Sequence, residues 1–117
     1  MTTDELERDV TQVASHWPFV RWVATADKTA HAIKMRLHIA GDCFVQVYAN
    51  TEKQLLSYTL VLNRTRIYGR DCEGGHWHRH PLGAAEAHDF GPHGEQPVEL
   101  ADFLGEVQQI LDSEGIL

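Results

Sequence analysis

Three histidines recur at every second position in the segment EGGHWHRHPLG, residues 73–83. In an extended backbone alternate side chains point to the same face, so His76, His78 and His80 would share one face of this segment. The imidazole pKa lies near neutral pH, which suits proton transfer, and imidazole is also the commonest metal ligand in proteins. The run therefore predicts either acid–base chemistry or a metal site.

Metal-free cleavage of a phosphodiester such as RNA needs a base, an acid and cations that stabilise the charge developing on the phosphate. His78 and His80 are the candidate acid and base, and this chemistry requires no cofactor. Strand parity predicts that Arg66, Tyr68 and Arg70 share one polar face of the sheet. The candidate residues for contacting phosphate and positioning the substrate are Arg66, Arg70, Arg79, Tyr58 and Tyr68, with Tyr68 also a candidate catalytic group.

Two other hypotheses stay open for the same segment. A metal-dependent hydrolase would use His76, His78 and His80 as ligands, with a shell completed by His88, Asp89 or His93. A straight strand spreads residues i and i+4 about 13 Å apart, so three ligands from this run would require a bend. Alternatively, the run is a polar loop of a non-catalytic module that binds a protein partner.

The surrounding segments predict helices at both ends and strands between them. Residues 2–17 are predicted to be a helix, because a capping box can open it and apolar residues recur along one stripe. Residues 19–72 contain alternating apolar and polar stretches separated by short turn signals, which predicts strands joined as a meander. The Gly- and His-rich residues 73–96 predict a long loop, and residues 97–113 a closing amphipathic helix.

These elements predict a single α+β domain over residues 1–117. Its antiparallel meander sheet would have four to five strands, with the N- and C-terminal helices packed on one face. The other face is then open, and the strand HAIKMRLHIA turns Lys34, Arg36 and His38 toward it. A ligand is expected on this basic open face.

Charge is distributed unevenly along the chain, whose net charge is −7. Residues 1–18 carry −3, residues 19–83 carry +4 and residues 84–117 carry −8. A basic surface in the middle of the chain is compatible with an RNA or phosphate-bearing partner, which the total charge would hide. The N-terminal residues are acidic and polar, and no apolar run approaches the roughly 20 residues of a membrane span. We therefore expect a cytoplasmic protein without a membrane partner.

The segment LLSYTLVLNRTRIYGRDCEGGHWHRHP, followed by PVELADFLGEVQQIL, resembles the C-terminal half of the TumE-type toxins of bacterial and archaeal toxin–antitoxin pairs. The resemblance is best over residues 57–81 and 97–111. It covers a strand with Tyr58, an "RIYGRD" strand, the histidine run and the last helix, but Cys72 stands where the family has Asn. The resemblance implies a toxin that is inhibited by a helix-turn-helix antitoxin. Combined with the histidines, it predicts a metal-independent ribonuclease.

Overall fold

The computed structural model describes residues 1–116 and contains a six-stranded antiparallel sheet with two α-helices. The strands follow the chain order across the sheet, so each strand pairs with the one before it. This confirms the α+β class and the antiparallel meander, whereas the predicted count of four to five strands is wrong. The elements are α1 (Thr3–Ala14), β1 (Trp22–Lys28), β2 (Ala32–Ala40), β3 (Cys43–Asn50), β4 (Leu55–Leu62), β5 (Thr65–Glu73), β6 (His76–His80) and α2 (Leu100–Ser113).

The sixth strand, β6, is the histidine run itself, which lies within residues 73–96 that were predicted to be a loop. Gly74 and Gly75 connect it to β5, with φ angles of 59° and 85°. Two consecutive residues with positive φ form the turn that best matches the twist of a hairpin, and glycine adopts these angles without strain. The Gly-Gly pair is therefore a hairpin turn, and only the segment after His80 is irregular.

Each strand of the sheet centre has one buried and one partly exposed face. In β2, Ile33, Met35, Leu37 and Ile39 are buried, while the residues between them are half-buried. The buried side chains of β2 to β5 pack against the two helices, which contact each other on this same side of the sheet. We call this the covered face and the opposite one the open face. Packing of both helices on one face is as predicted.

Helix α1 begins one residue later and ends three residues earlier than predicted. Its capping box is confirmed: the Thr2 hydroxyl accepts from the Glu5 N–H at 3.1 Å, and the Glu5 carboxylate accepts from the Thr2 N–H at 3.1 Å. The edge strand β1 holds this helix through Lys28, which forms ion pairs with Asp4 and with Glu7.

Helix α2 begins at Leu100, three residues after the predicted start, because Glu99 is its N-cap residue. The Asp102 carboxylate accepts from the Glu99 N–H at 2.9 Å. Phe103, Leu104 and Val107 of this helix have no measurable exposure. No helix within residues 1–116 combines the length and the apolar character that crossing a membrane requires.

Candidate metal centre

The hairpin register between β5 and β6 places Asp71 opposite His78, and Gly69 opposite His80. Directly opposite residues of antiparallel strands project from the same face of the sheet. Here that face is the open one, because Asp71 also lies opposite Ser57 of β4, away from the helices. A carboxylate and two imidazoles thus converge at one end of the open face.

A third imidazole reaches this site from the segment that follows β6. Arg79 and Asp89 form an antiparallel bridge, with reciprocal backbone hydrogen bonds of 3.0 and 2.8 Å. The bridge places the segment around Asp89 next to β6, where a further antiparallel strand would lie, so His88 faces His80. The ring centroids of these two histidines are 4.8 Å apart. One ring nitrogen from each of His78, His80 and His88 lies within 4.8 Å of the other two.

The hydrogen bonds of His80 define its protonation at Nδ1. This nitrogen lies 2.8 Å from the Ala85 carbonyl oxygen, which can only accept, so Nδ1 carries the proton. In the neutral ring, Nε2 then carries a lone pair. The His80 Nε2 atom lies 3.0 Å from Asp71 Oδ2 and 3.2 Å from His78 Nε2. Electron-rich atoms this close repel one another unless a cation or a proton lies between them.

The spacing of these atoms fits a metal ion. Bonds of about 2.0–2.1 Å from zinc to its ligands hold tetrahedral donors about 3.3–3.4 Å apart. The three distances within the cluster are 3.0 Å, 3.2 Å and, between His78 Nε2 and Asp71 Oδ2, 3.5 Å. They fall on either side of the tetrahedral value, so one ion can contact Asp71, His78 and His80 with only small shifts.

Neighbouring groups orient the donors. The Ser57 hydroxyl donates to Asp71 Oδ1 at 2.6 Å, which leaves Oδ2 facing the histidines. The Ala85 carbonyl fixes the His80 ring in the same way. Partners of this kind, which fix ring orientation and tautomer, are a regular feature of metal sites. A Cβ at position 69 would lie only 3.1 Å from the Tyr58 carbonyl oxygen and in ordinary contact, at 3.7 Å, with His80 Cβ.

Burial keeps the site ready to bind a cation through lone pairs. His80 is only 2% exposed. Desolvation lowers the pKa of the His78 imidazole below its ordinary value, although the charge of Asp71 opposes this effect. The neutral form of His78, which is the form that ligates metals, is thereby favoured near neutral pH. Phe90 borders the site: its ring centroid is 5.2 Å from that of His78, and the side chain is exposed.

The structure brings together only some of the residues predicted from the sequence. His78 and His80 are in the cluster, whereas His76 is exposed and lies outside it. Of the three residues considered for completing a metal shell, His88 is in place. Asp89 instead forms an ion pair with Arg79 at 2.6 Å, and the carbonyl of His93 accepts from Arg70.

The prediction that Arg66, Tyr68 and Arg70 share a face is wrong. The register shifts at a bulge, so Tyr68 lies opposite Leu60 whereas Arg66 lies opposite Val61. Arg66 is therefore exposed on the open face, while Tyr68 and Arg70 are buried on the covered face.

The other predicted substrate contacts also lie on the covered face. Tyr58 packs on Phe103 of α2, and Arg79 pairs with Arg70 in the register of the hairpin. The sheet thus separates the buried tyrosines and two of the three predicted phosphate-binding arginines from the histidines. A joint His–Arg site of the predicted composition does not form.

Asp71 and Ser57 are the site residues that sequence reasoning missed. The signal for Asp71 was present: a two-residue turn at Gly74-Gly75 places residues 71 and 78 opposite each other. Ser57 gave no comparable signal, since its position depends on the pairing of β4 with β5.

Comparison of the chain with models of protein families, with curated proteins and with solved structures found no match.

Proposed function

We propose that the protein is a metal-dependent hydrolase whose ion is held by Asp71, His78, His80 and His88. The observation that carries the proposal is the convergence of two imidazole Nε2 atoms and a carboxylate oxygen within 3.0–3.5 Å, with the third imidazole beside them. Nitrogen and carboxylate ligands of this kind suit zinc and related divalent ions.

A hydrolytic role is supported by a difference in how rigidly the ligands are held. Asp71, His78 and His80 lie on paired strands, whereas His88 comes from an irregular segment and is exposed. His88 is therefore the ligand that water can displace most easily. A catalytic zinc keeps such an exchangeable position, and it lowers the pKa of the water bound there to about 7. The exposed Phe90 beside His78 gives a bound substrate an apolar contact next to this position.

The metal-independent ribonuclease predicted from the sequence is the second candidate, and one observation favours it. A single proton on His80 Nε2, shared with Asp71 and His78, would also relieve the repulsion within the cluster. The His80–Asp71 pair would then be an acid and His78 a neutral base, as general acid–base cleavage requires. This arrangement gives His88 no role, and for that reason we favour the metal.

Metal binding is tested by stripping the purified protein with a chelator and titrating it with Zn²⁺, Mn²⁺ or Co²⁺ by calorimetry. The variants are Asp71→Asn, His80→Ala and His88→Ala. His76→Ala is the matched control, since His76 lies on the same strand and face but outside the cluster. Hydrolysis is followed with bis(p-nitrophenyl) phosphate, a generic phosphodiester.

We expect one bound ion in the wild type and in His76→Ala. Binding should be lost in Asp71→Asn and His80→Ala, because these side chains are metal ligands. Replacing a residue that only orients a ligand lowers metal affinity about 10–100-fold. His88→Ala should keep most of the affinity and should retain hydrolysis, because water occupies the position that His88 leaves. No ion in the wild type, combined with cleavage that resists chelation and needs His78 and His80, would instead establish the metal-independent mechanism.

The role as a toxin, and the helix-turn-helix antitoxin that would inhibit it, remain proposals that rest on the resemblance to TumE-type proteins. Induced expression should arrest bacterial growth and degrade RNA. A His78→Ala/His80→Ala variant of matched solubility should do neither. Arrest that persists in this variant would remove the cluster from the toxic mechanism, and the absence of arrest in the wild type would contradict the toxin role.

A further inference from the structure

An aromatic patch lies on the open face at the opposite side of the sheet from the candidate metal centre. Trp22 of the edge strand β1 is 58% exposed, which is unusual for so large an apolar side chain. Its ring stacks on His38, with centroids 4.5 Å apart and planes 20° from parallel. Phe44 lies 5.8 Å beyond His38. Three aromatic rings thus lie next to one another on the open face.

Basic side chains accompany these rings. Arg36 lies over the Phe44 ring at 5.1 Å, and its Nε donates to the Gln46 side chain at 3.4 Å. Lys34 occupies the next open-face position of β2, with Asp27 of β1 opposite it. Arg66 lies across from Val61 and is exposed. The six strands contain three acidic residues. Asp27 lies opposite Lys34, whereas Asp71 and Glu73 lie in or beside the metal centre.

The helices on the covered face carry charge of the opposite sign. Helix α1 contributes Asp4, Glu5, Glu7 and Asp9 against one arginine, and α2 contributes acids with no Lys or Arg. A polyanion would therefore be repelled from the covered face and attracted to the open one, in spite of the net charge of −7.

The strand register connects Lys34 and Arg36, beside the patch, to the metal centre, whereas the rings lie in the adjoining row that ends at Arg66. One row of directly opposite open-face residues runs from β2 to β6: Lys34, Tyr48, Ser57, Asp71 and His78. The next row runs in parallel with it: Arg36, Gln46, Thr59, Gly69 and His80. With neighbouring strands about 4.8 Å apart, β3 and β6 are separated by about 14 Å. Small or polar side chains line this path.

We infer that the open face binds single-stranded nucleic acid, with bases stacked on Trp22 and Phe44 and phosphates at Lys34, Arg36 and Arg66. A strand laid along the rows would present its backbone to the ion site on β5 and β6. Single strands are favoured over duplexes, because an exposed aromatic ring stacks on unpaired bases, which a duplex hides. The cleavage of this substrate rests on the proposed function, whereas its binding does not.

Binding is tested by fluorescence anisotropy with a short labelled single strand, as RNA and as DNA, and with the corresponding duplexes. Chelator is present throughout, so that no metal-dependent cleavage occurs. Trp22→Ala should raise Kd about 5- to 150-fold, equivalent to the 1–3 kcal/mol of one stacked base, and Trp22→Phe should restore most of the affinity. Circular dichroism confirms folding of each variant.

The electrostatic part is tested by the salt dependence. Arg36→Ala should weaken binding and reduce the slope of log K against log salt by about 1. Arg8→Ala, which removes the same charge from α1 on the other face, should leave both unchanged. Tighter binding of RNA or of DNA supports the inference in either case and identifies the substrate.

Equal affinity of wild type, Trp22→Ala and Arg36→Ala, or a preference for duplex, would overturn the inference. The fate of the metal site is read separately with Asp71→Asn, which should bind the labelled strand at least as tightly as wild type does. A protein that binds the strand but takes up no metal would therefore refute only the proposed hydrolase.

Discussion

Replacement of Arg70 by methionine separates a structural role of this arginine from the phosphate-binding role predicted from the sequence. Arg70 is 4% exposed. Its Nε lies 3.1 Å from Glu106 Oε1, its Nη2 lies 2.6 Å from Glu106 Oε2, and its Nη1 donates to the His93 carbonyl. Tyr68 donates to the same carboxylate at 2.9 Å. These contacts join β5 to α2 and to the segment between β6 and α2.

The expected loss of stability follows from these contacts. Removing one partner of a buried ion pair costs about 3–5 kcal/mol. The Glu106 side chain is 31% exposed, so water recovers part of its solvation in the variant. Methionine also keeps most of the apolar packing of the arginine stem. We therefore expect Arg70→Met to lower the free energy of unfolding by about 2–4 kcal/mol, and the melting temperature by on the order of 10 °C.

Urea unfolding at 25 °C measures this effect, with Arg66→Met as the control. Arg66 is exposed on the open face, so its replacement should change stability by less than about 0.5 kcal/mol while weakening nucleic-acid binding. The double variant Arg70→Met/Glu106→Leu should recover part of the lost stability, since no charge is then left without its partner. Unchanged stability of Arg70→Met, with weakened binding of the labelled strand, would refute the buried ion pair.

Three further predictions concern the metal centre. Ser57→Ala removes the hydroxyl that orients Asp71 and should weaken Zn²⁺ binding about 10–100-fold in calorimetry, whereas Val61→Ala, four residues away on the same face of β4, should change it little. Protein at a free Zn²⁺ concentration of 100 times Kd should be about 2.7 kcal/mol more stable than protein in chelator, and equal melting curves would show that no ion binds the folded state. Gly75→Ala places a side chain at a φ of 85° in the β5–β6 turn, so we expect about 1–2 kcal/mol of destabilisation in urea unfolding, together with weaker Zn²⁺ binding. A full-strength metal site in that variant would show that the turn does not set the register of Asp71 and His78.

Features that depend on local order along the chain were predictable from the sequence. The apolar and polar residues of Ala32–Ala40 alternate, and the structure buries the apolar set and leaves the others toward the open face. The capping box at Thr2 and Glu5 requires only residues three positions apart. The short turns between strands made an antiparallel meander the simplest topology, because strands joined in this way pair with their neighbours.

The segment that begins at Gly74-Gly75 was predicted incorrectly from local sequence alone. Gly74-Gly75 was compatible with a turn, but the histidines, glycines and prolines that follow were interpreted together as one loop. In the structure β6 is stabilised by pairing on both sides, with β5 and with the bridge at Asp89. This second pairing involves residues ten positions apart along the chain, and it delivers His88 to the cluster.

The composition of the site was decided by the tertiary structure. A bulge in β5 reverses the side-chain parity at Arg66, and α2 covers Tyr68 and Arg70, whose partner Glu106 is 36 residues away along the chain. The sequence by itself determined the α+β class, the basic open face and the two histidines at the centre of the cluster, since alternation fixes which side chains share a face. Only the folded sheet decided that Asp71, Ser57 and His88 complete the site and that two of the arginines do not, because register and helix coverage arise from contacts between distant segments.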